Sequence, residues 1–404
     1  MGPKVGGIMT IKFVRRAAFV SAALLAPVAL SAAHAAGNKA SGSYGDMSWT
    51  AQNTIIAMTP TADGPTSGGG NPTFLPDYSV HAGVASLIMT YNDGSRFICS
   101  GSLAPDRRSI VTAAHCVSSG GVPDAGLASV DAYFYDGSSG DVRVPFNALS
   151  SMISVSDIFV NPLYTGEVID HNDIAVLRLD QAAPDFAQSY DFYFENDLTG
   201  VDFNVAGYGG RSTVGGALGN DAQTGWLREG DNTYDFRLGD ELFGTNWATV
   251  LDEPFSQIEY SYIADFDSGL AANDASCRIA QASNIAGAAG AVFCDLGHGE
   301  REAGIAGGDS GGPGFVDGKL ASINSYGLSF GTAWGDCRTG LNSSCGEFGG
   351  FVPVYLHKDF ILGNLVPAIA PIPEPAVWLQ MIAGFGILGS ALRIRARRTA
   401  LAGA

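Results

Sequence analysis

Residues 304–315 read Gly-Ile-Ala-Gly-Gly-Asp-Ser-Gly-Gly-Pro-Gly-Phe. From Gly304 to Gly312, five of nine residues are glycine. Glycine costs backbone entropy on folding, so this density needs a physical reason. One reason is a tight turn whose backbone N–H groups converge on an anionic oxygen, with Ser310 at its centre as a nucleophile. The other is a plain surface loop, in a chain that holds 54 glycines. The rest of the sequence has to separate the two.

The chain has 404 residues, 46% apolar and 10% aromatic, enough for one large domain or two ordinary ones with a packed core. Its formal charge is −18. Both ends are basic. Setting aside their eight basic residues and one acidic residue leaves 14 basic and 39 acidic, a net −25. Such a body lacks the basic footprint that nucleic-acid binding needs. It reads as an acid-rich exported surface. The six cysteines include no C-x-x-C pair, so a zinc ribbon or thioredoxin motif has no support.

The ends read as addresses. Lys12–Arg16 is a basic region, residues 17–33 are apolar, and Ala33-His34-Ala35 is a small-x-small cleavage site. Residues 1–35 are therefore expected to be a secretory signal peptide, and export permits disulfides. At the other end, Pro373-Glu374-Pro375 precedes an apolar run, residues 376–392, and then Arg393, Arg395, Arg397 and Arg398. As a helix that run spans roughly 26 Å at about 1.5 Å per residue, slightly short for a bilayer but workable. The tail, residues 373–398, resembles the PEP-CTERM sorting signal of Gram-negative bacteria. The resemblance implies an exosortase-type processing enzyme as partner, contact with the membrane until the tail is processed, and delivery to the cell surface or beyond. A plain membrane anchor is the alternative.

Between the ends, residues 36–76 are rich in Gly, Ser, Thr and Asn and read as a leader with little structure of its own. From about residue 77 the pattern changes. Short runs such as VHAGVASLIMTY (80–91), RFICSGSLA (96–104), SIVTAAHCV (109–117), FNVAGYG (203–209), QIEYSYIADF (257–266), GKLASINSYG (318–327) and FVPVYLH (351–357) are bounded by turn residues. That is strand spacing, and many even strands argue for all-β barrels or sandwiches. Residues 180–200 read as a connection between two halves, and the Ala-rich residues 271–290 as room for a short helix.

Two further segments carry chemistry: Thr112-Ala113-Ala114-His115-Cys116, and His171-Asn172-Asp173 leading into Ile174–Leu179. A nucleophilic serine needs a base for its proton and a carboxylate to orient that base. Singly, His115 reads as well as a packed histidine, and Asp173 as a turn residue. Gly308–Gly312 also satisfies the G-x-S-x-G elbow of α/β-hydrolases, but that fold needs a helix after the serine, and Pro313-Gly314 follows almost at once.

Taken together and in this order, TAAHC, DIAVL and GDSGGP resemble the signature segments of the chymotrypsin/trypsin-like serine proteases. CSGSL, VAGYG and SYG add to the likeness, which covers roughly residues 78–363. It implies two antiparallel six-stranded β-barrels, about 77–180 and 200–364, with the site between them, followed here by the C-terminal apolar helix of the tail. It implies a secreted serine endopeptidase acting through an acyl-enzyme: His115 as general base, Asp173 as its orienter, Ser310 as nucleophile, and the amides of Gly308 and Ser310 as oxyanion hole. It places Ser325, Tyr326 and Gly327 along an extended substrate strand and Gly304 at the base of the specificity pocket. Cys99 and Cys116 match the bridge that closes the histidine loop. Cys277 with Cys294, and Cys337 with Cys345, are the remaining pairings. Protein or peptide is the implied substrate, and no metal or cofactor is implied. A protease-like surface binding protein with little activity is the other class.

The chain departs from the family in three places. The usual cysteine four residues before the nucleophile is Ala306, with Cys337–Cys345 as a nearby substitute. The pocket-base position is Gly304 rather than an acid, which favours a neutral or apolar side chain before the scissile bond unless Glu302 or Asp336 reaches the pocket. Finally, Asp309 has no Ile-Val-Gly-Gly-like amino terminus to pair with, so a different, cationic partner or a different activation is expected.

Overall fold

The computed structural model describes residues 38–53, 56–57, 72–212, 216–217, 219–267, 269–285 and 287–367. The expected signal peptide and sorting tail lie outside these residues. So does the expected C-terminal apolar helix, and no helix among the described residues is long and apolar enough to cross a membrane.

The chain opens with β1 (Lys39–Tyr44), β2 (Met47–Asn53) and β3 (Ile56–Ala57). The first barrel follows: β4 (Val84–Tyr91), β5 (Arg96–Leu103), β6 (Ser109–Thr112), β7 (Leu127–Phe134), β8 (Ser151–Val160) and β9 (Ala175–Leu179). These six pair antiparallel in the ring β5-β4-β7-β8-β9-β6, which closes through Ser102 opposite Val111 and Leu103 opposite Ile110. Closure explains the composition. A barrel strand packs one face inward and is covered on the other by neighbouring segments, so β4 and β6 are almost wholly buried, with serine, threonine and one tyrosine as their only polar residues.

A connector, residues 180–201, crosses to the second half. Arg107 holds it by donating to the carbonyls of Ala183, Pro184 and Ala187 at 2.6–3.1 Å. The second sheet comprises β10 (Asp202–Gly207), β11 (Arg228–Thr233), β12 (Phe236–Arg237), β13 (Tyr262–Asp265), β14 (Pro313–Val316), β15 (Lys319–Ser329) and β16 (Phe348–Pro353). Its order is β11-β10-β14-β15-β16-β13-β12. The two end strands are consecutive in the chain, separated by Tyr234 and Asp235, so the sheet curls back toward its own start. No ladder joins β11 to β12, so this half is a curled half-barrel and not the closed six-stranded barrel expected from the sequence. The fold is chymotrypsin-like and mostly β. The Ala-rich region does supply a helix, Ala275–Ala282, capped by the Asp274 side chain on the Cys277 amide.

The leader is a correction. Residues 38–53 are structured: β1 and β2 form a hairpin around Gly45, whose φ is +60°, and β2 joins the edge of β15. Alternation explains it, because Trp49, Ala51 and Asn53 point inward and the residues between them do not. Trp49 reaches the core of the second half and donates its indole N–H to the Val250 carbonyl at 2.8 Å. Glycine and serine content masked this period-two signal.

All three expected disulfides are formed: Cys99–Cys116, Cys277–Cys294 and Cys337–Cys345. Replacing Cys99 and Cys116 together with alanine is expected to cost about 3 kcal/mol on the chain-entropy model, read as a lower denaturant midpoint with unchanged slope. A loss below about 1 kcal/mol would show that the bridge hardly restricts the unfolded chain.

Candidate active site

Strand β6 ends at Thr112, and the chain turns through a short 3₁₀ segment, Ala114–Cys116, that presents His115. Asp173 sits just before β9, which pairs with β6, so the two residues meet where neighbouring barrel strands begin and end. His115 Nδ1 lies 2.6 Å from Asp173 Oδ2. The His115 backbone N–H donates to Asp173 Oδ1 at 2.8 Å. The Ser325 hydroxyl, from β15 of the other half, donates to Asp173 Oδ2 at 2.5 Å. Asp173 is fully buried and His115 is 4% exposed. A carboxylate at Nδ1 fixes the tautomer with its proton there, which leaves Nε2 as an acceptor. That nitrogen is buried and has no hydrogen-bond partner.

The Ser310 turn packs against the same segment. The Ser310 carbonyl accepts the Ser100 amide at 2.7 Å, and Cys116 Sγ lies 3.8 Å from that oxygen. Gly311 has φ +76°, and a Cβ there would sit 1.9 Å from Thr112 Oγ1. Only glycine lets the turn approach the histidine segment so closely. The amides of Asp309, Gly311 and Gly312 are engaged inside the fold, with the carbonyls of Ala306, Asn324 and Asp309. The structure thus gathers His115, Asp173 and Ser325 by direct contact and sets the Ser310 turn against the Thr112–Cys116 segment.

Asp309 has a partner, but not the expected cation. Its Oδ1 accepts the Gly209 amide at 2.7 Å and its Oδ2 the Ala306 amide at 2.9 Å. The glycines of the Val205–Gly209 segment make room, since a Cβ at Gly207 or Gly209 would fall 2.2–2.4 Å from the carboxylate. Burial nevertheless raises its pKa to about 6, against the lowering effect of the two amides.

A cavity of about 280 Å³ beside the turn is lined by Gly304, Ile305, Phe266, Leu341, Phe348 and Gly327, among others. Gly304 is part of its wall. The loop closed by Cys337–Cys345 carries Leu341–Ser344 into the wall. Neither suggested acid lines this cavity. Glu302 lines an adjoining cavity of about 570 Å³, which shares Gly304 and Phe266 with this one, and bonds the Asp267 amide, while Asp336 accepts the hydroxyls of Ser329 and Ser344. The acid in the wall is Glu347, which sequence reasoning missed. It accepts the Asn342 and Ser343 amides and the Ser344 hydroxyl, and burial lifts its pKa to about 7. Its one available signal was its place just before the apolar strand Phe348–Pro353. Tyr326 is buried, its hydroxyl paired with Ser261, and β2 lies along the backbone of β15 at Tyr326 and Gly327.

With this geometry in place, comparison with known proteins adds a likeness. Residues 79–229 match the family model named Trypsin. The matched span takes in His115 and Asp173 and stops before Ser310. Among solved structures, the chain is similar to neuropsin, a serine protease expressed in the limbic system of mouse brain. The two share 17% identity over 72% of this chain and 98% of that one, with a TM-score of 0.46. No curated protein matches the chain.

The second half of the fold holds several carboxyls whose folded pKa exceeds the unfolded value. Burial pushes up Asp265 and Glu302 as well as Asp309 and Glu347, and Asp267 beside Glu302 adds to its rise. A raised acid binds its proton more readily when folded, so its contribution is full in acid and fades as pH rises through the raised value. The window runs from 3.8 to about 6 for Asp309 and from 4.5 to about 7 for Glu347. The melting temperature is expected to rise as pH falls from 8 to 5, and Glu347→Gln is expected to flatten that rise. A variant whose slope matches the parent would remove Glu347 from this account.

Proposed function

We propose that this chain is an exported serine endopeptidase that hydrolyses peptide bonds through an acyl-enzyme, with His115, Asp173 and Ser310 as its catalytic residues. The observation that carries the proposal is the His115–Asp173 contact at 2.6 Å, with Nε2 buried and unpartnered and the Ser310 turn packed against the Thr112–Cys116 segment. In this reading Nε2 takes the Ser310 proton as Oγ attacks the carbonyl carbon, then returns it to the leaving amine. Asp173 stabilises the imidazolium that forms and keeps the ring from turning. The amides of Gly308 and Ser310 donate to the developing oxyanion, and such a donor is worth about 3–4 kcal/mol of transition-state stabilisation. The mainly apolar wall around Gly304 favours a neutral or apolar side chain before the scissile bond.

Export rests on the sequence of residues 1–35 and is supported by three disulfides, which persist in oxidising compartments. In the same reading, residues 373–398 address the chain to an exosortase-type enzyme of a Gram-negative bacterium. The competing reading is a protease-like surface binding protein with little activity.

A fluorophosphonate separates the two. The folded protein is expected to label at Ser310 and to lose labelling in Ser310→Ala. A folded chain that fails to label, or labelling that persists in the variant, removes the assignment. In a peptide-cleavage assay, Asp173→Asn is expected to lower kcat by about 10⁴-fold, because the histidine loses its tautomer and orientation. A loss under tenfold would take Asp173 out of the mechanism.

A further inference from the structure

Strand β13 ends in an acid, and the fold sets two more beside it. Asp265, Asp267 and Glu302 each bring a carboxylate oxygen to within 4.8 Å of the other two. All three residues are buried, at 6%, 1% and 2% exposure. A buried carboxylate needs a cation or several donors to offset its lost hydration. Among the described residues, no ion pair with lysine or arginine reaches any of the three. Arg301, next to Glu302 in the chain, is engaged with Glu229 and Asp231. Further acids add to the negative field: Asp274 acts on Asp265, and Asp295 on Asp267.

Peptide amides satisfy only part of this charge. Asp265 Oδ2 accepts the Ala275 and Ser276 amides at 2.6 and 2.9 Å. Glu302 Oε1 accepts the Asp267 amide at 2.9 Å, and Asp267 Oδ1 the Gly269 amide at 2.7 Å. Asp267 Oδ2 is buried and receives no hydrogen bond. Gly297 keeps the space beside Glu302 clear, since a Cβ there would lie 2.6–2.8 Å from its carboxyl atoms. A donor-less carboxylate oxygen among other carboxylates is a ligand atom for a cation. The donor set is oxygen only, which suits a hard ion rather than zinc or copper. Calcium takes about six to eight oxygens at roughly 2.3–2.6 Å in flexible geometry, whereas magnesium demands a near-ideal octahedron. Oxygens up to about 5 Å apart can share one calcium at those bond lengths.

We propose that Asp265, Asp267 and Glu302 form a calcium site. The ion ties the end of β13 to the segment that runs through Gly304 into the Ser310 turn. Phe266, between two of the ligands in sequence, walls the 280 Å³ cavity and would lie 3.3 Å from a Cβ at Gly304. The ion therefore braces that wall and takes no part in bond cleavage. Protons and calcium compete for these oxygens, so the rise in melting temperature toward acid belongs to the calcium-free protein.

The test uses the purified full chain, stripped with EDTA. It is titrated with calcium chloride by calorimetry and melted with calcium or magnesium at about 5 mM, above the roughly 0.1–1 mM at which extracellular calcium modules bind. One calcium per chain is expected to bind and to raise the melting temperature by several degrees, because it binds only the folded state. Magnesium is expected to raise it less. Asp267→Asn and Glu302→Gln keep the side-chain shape and remove one charge each. Each is expected to weaken calcium binding at least tenfold and, with less repulsion, to melt no lower than the parent in EDTA. Asp185→Asn, at an exposed acid elsewhere, is expected to leave binding unchanged. A parent that shows no binding heat and melts alike in calcium and EDTA overturns the proposal, whatever the variants do. Calcium binding of parental strength in both Asp267→Asn and Glu302→Gln overturns it as well, by placing the ion elsewhere on this acidic chain.

Discussion

One buried carboxylate ties the two halves together. Asp173 accepts the backbone N–H and the Nδ1 proton of His115 from the first barrel, and the Ser325 hydroxyl from the second sheet. A buried carboxylate without partners is among the costliest things a fold can contain, so the three donors have to be in place together. Their positions are set by the ends of β6, β9 and β15. The barrel closure, the connector clamped by Arg107 and the curl of the second sheet can all be read as delivering those ends to one point.

Asp309 shows the same physics answered differently. The carboxylate beside Ser310 is satisfied by two peptide N–H groups in a space that glycines keep clear. Amides bring partial charge and not a full cation, which is why burial still raises the pKa of this acid. The partner needs no chain end, so the turn that holds Ser310 is supported from within the folded chain.

Much of this was legible in the residues, and what was missed has identifiable causes. His115, Asp173 and Ser310 lie in short segments whose side-chain chemistry and order are distinctive, and short apolar runs bounded by turn residues mark strands such as β10. Gly304 and the cysteine pairings followed from the same likeness. Glu347 was not legible, because a pocket wall is made by the packing of distant loops, and nothing in Cys345-Gly346-Glu347 announces its neighbours. The closure of the second half was over-read, because spacing gives strands but not the ladder between β11 and β12. The leader was under-read for a subtler reason. Its polar composition suggests disorder, while its few inward residues, Trp49, Ala51 and Asn53, carry the strand.

The alternation of β2 makes Trp49 a ruler. Side chains on a strand face opposite sides in turn, so sliding the hairpin by one residue would bring Trp49 and Ala51 out into water and carry their polar neighbours inward. Sliding by two would take the indole away from the pocket built for it. The hairpin is therefore seated in a single register, and the pairing of β2 with β15 is set like a stop on a rail by one buried indole.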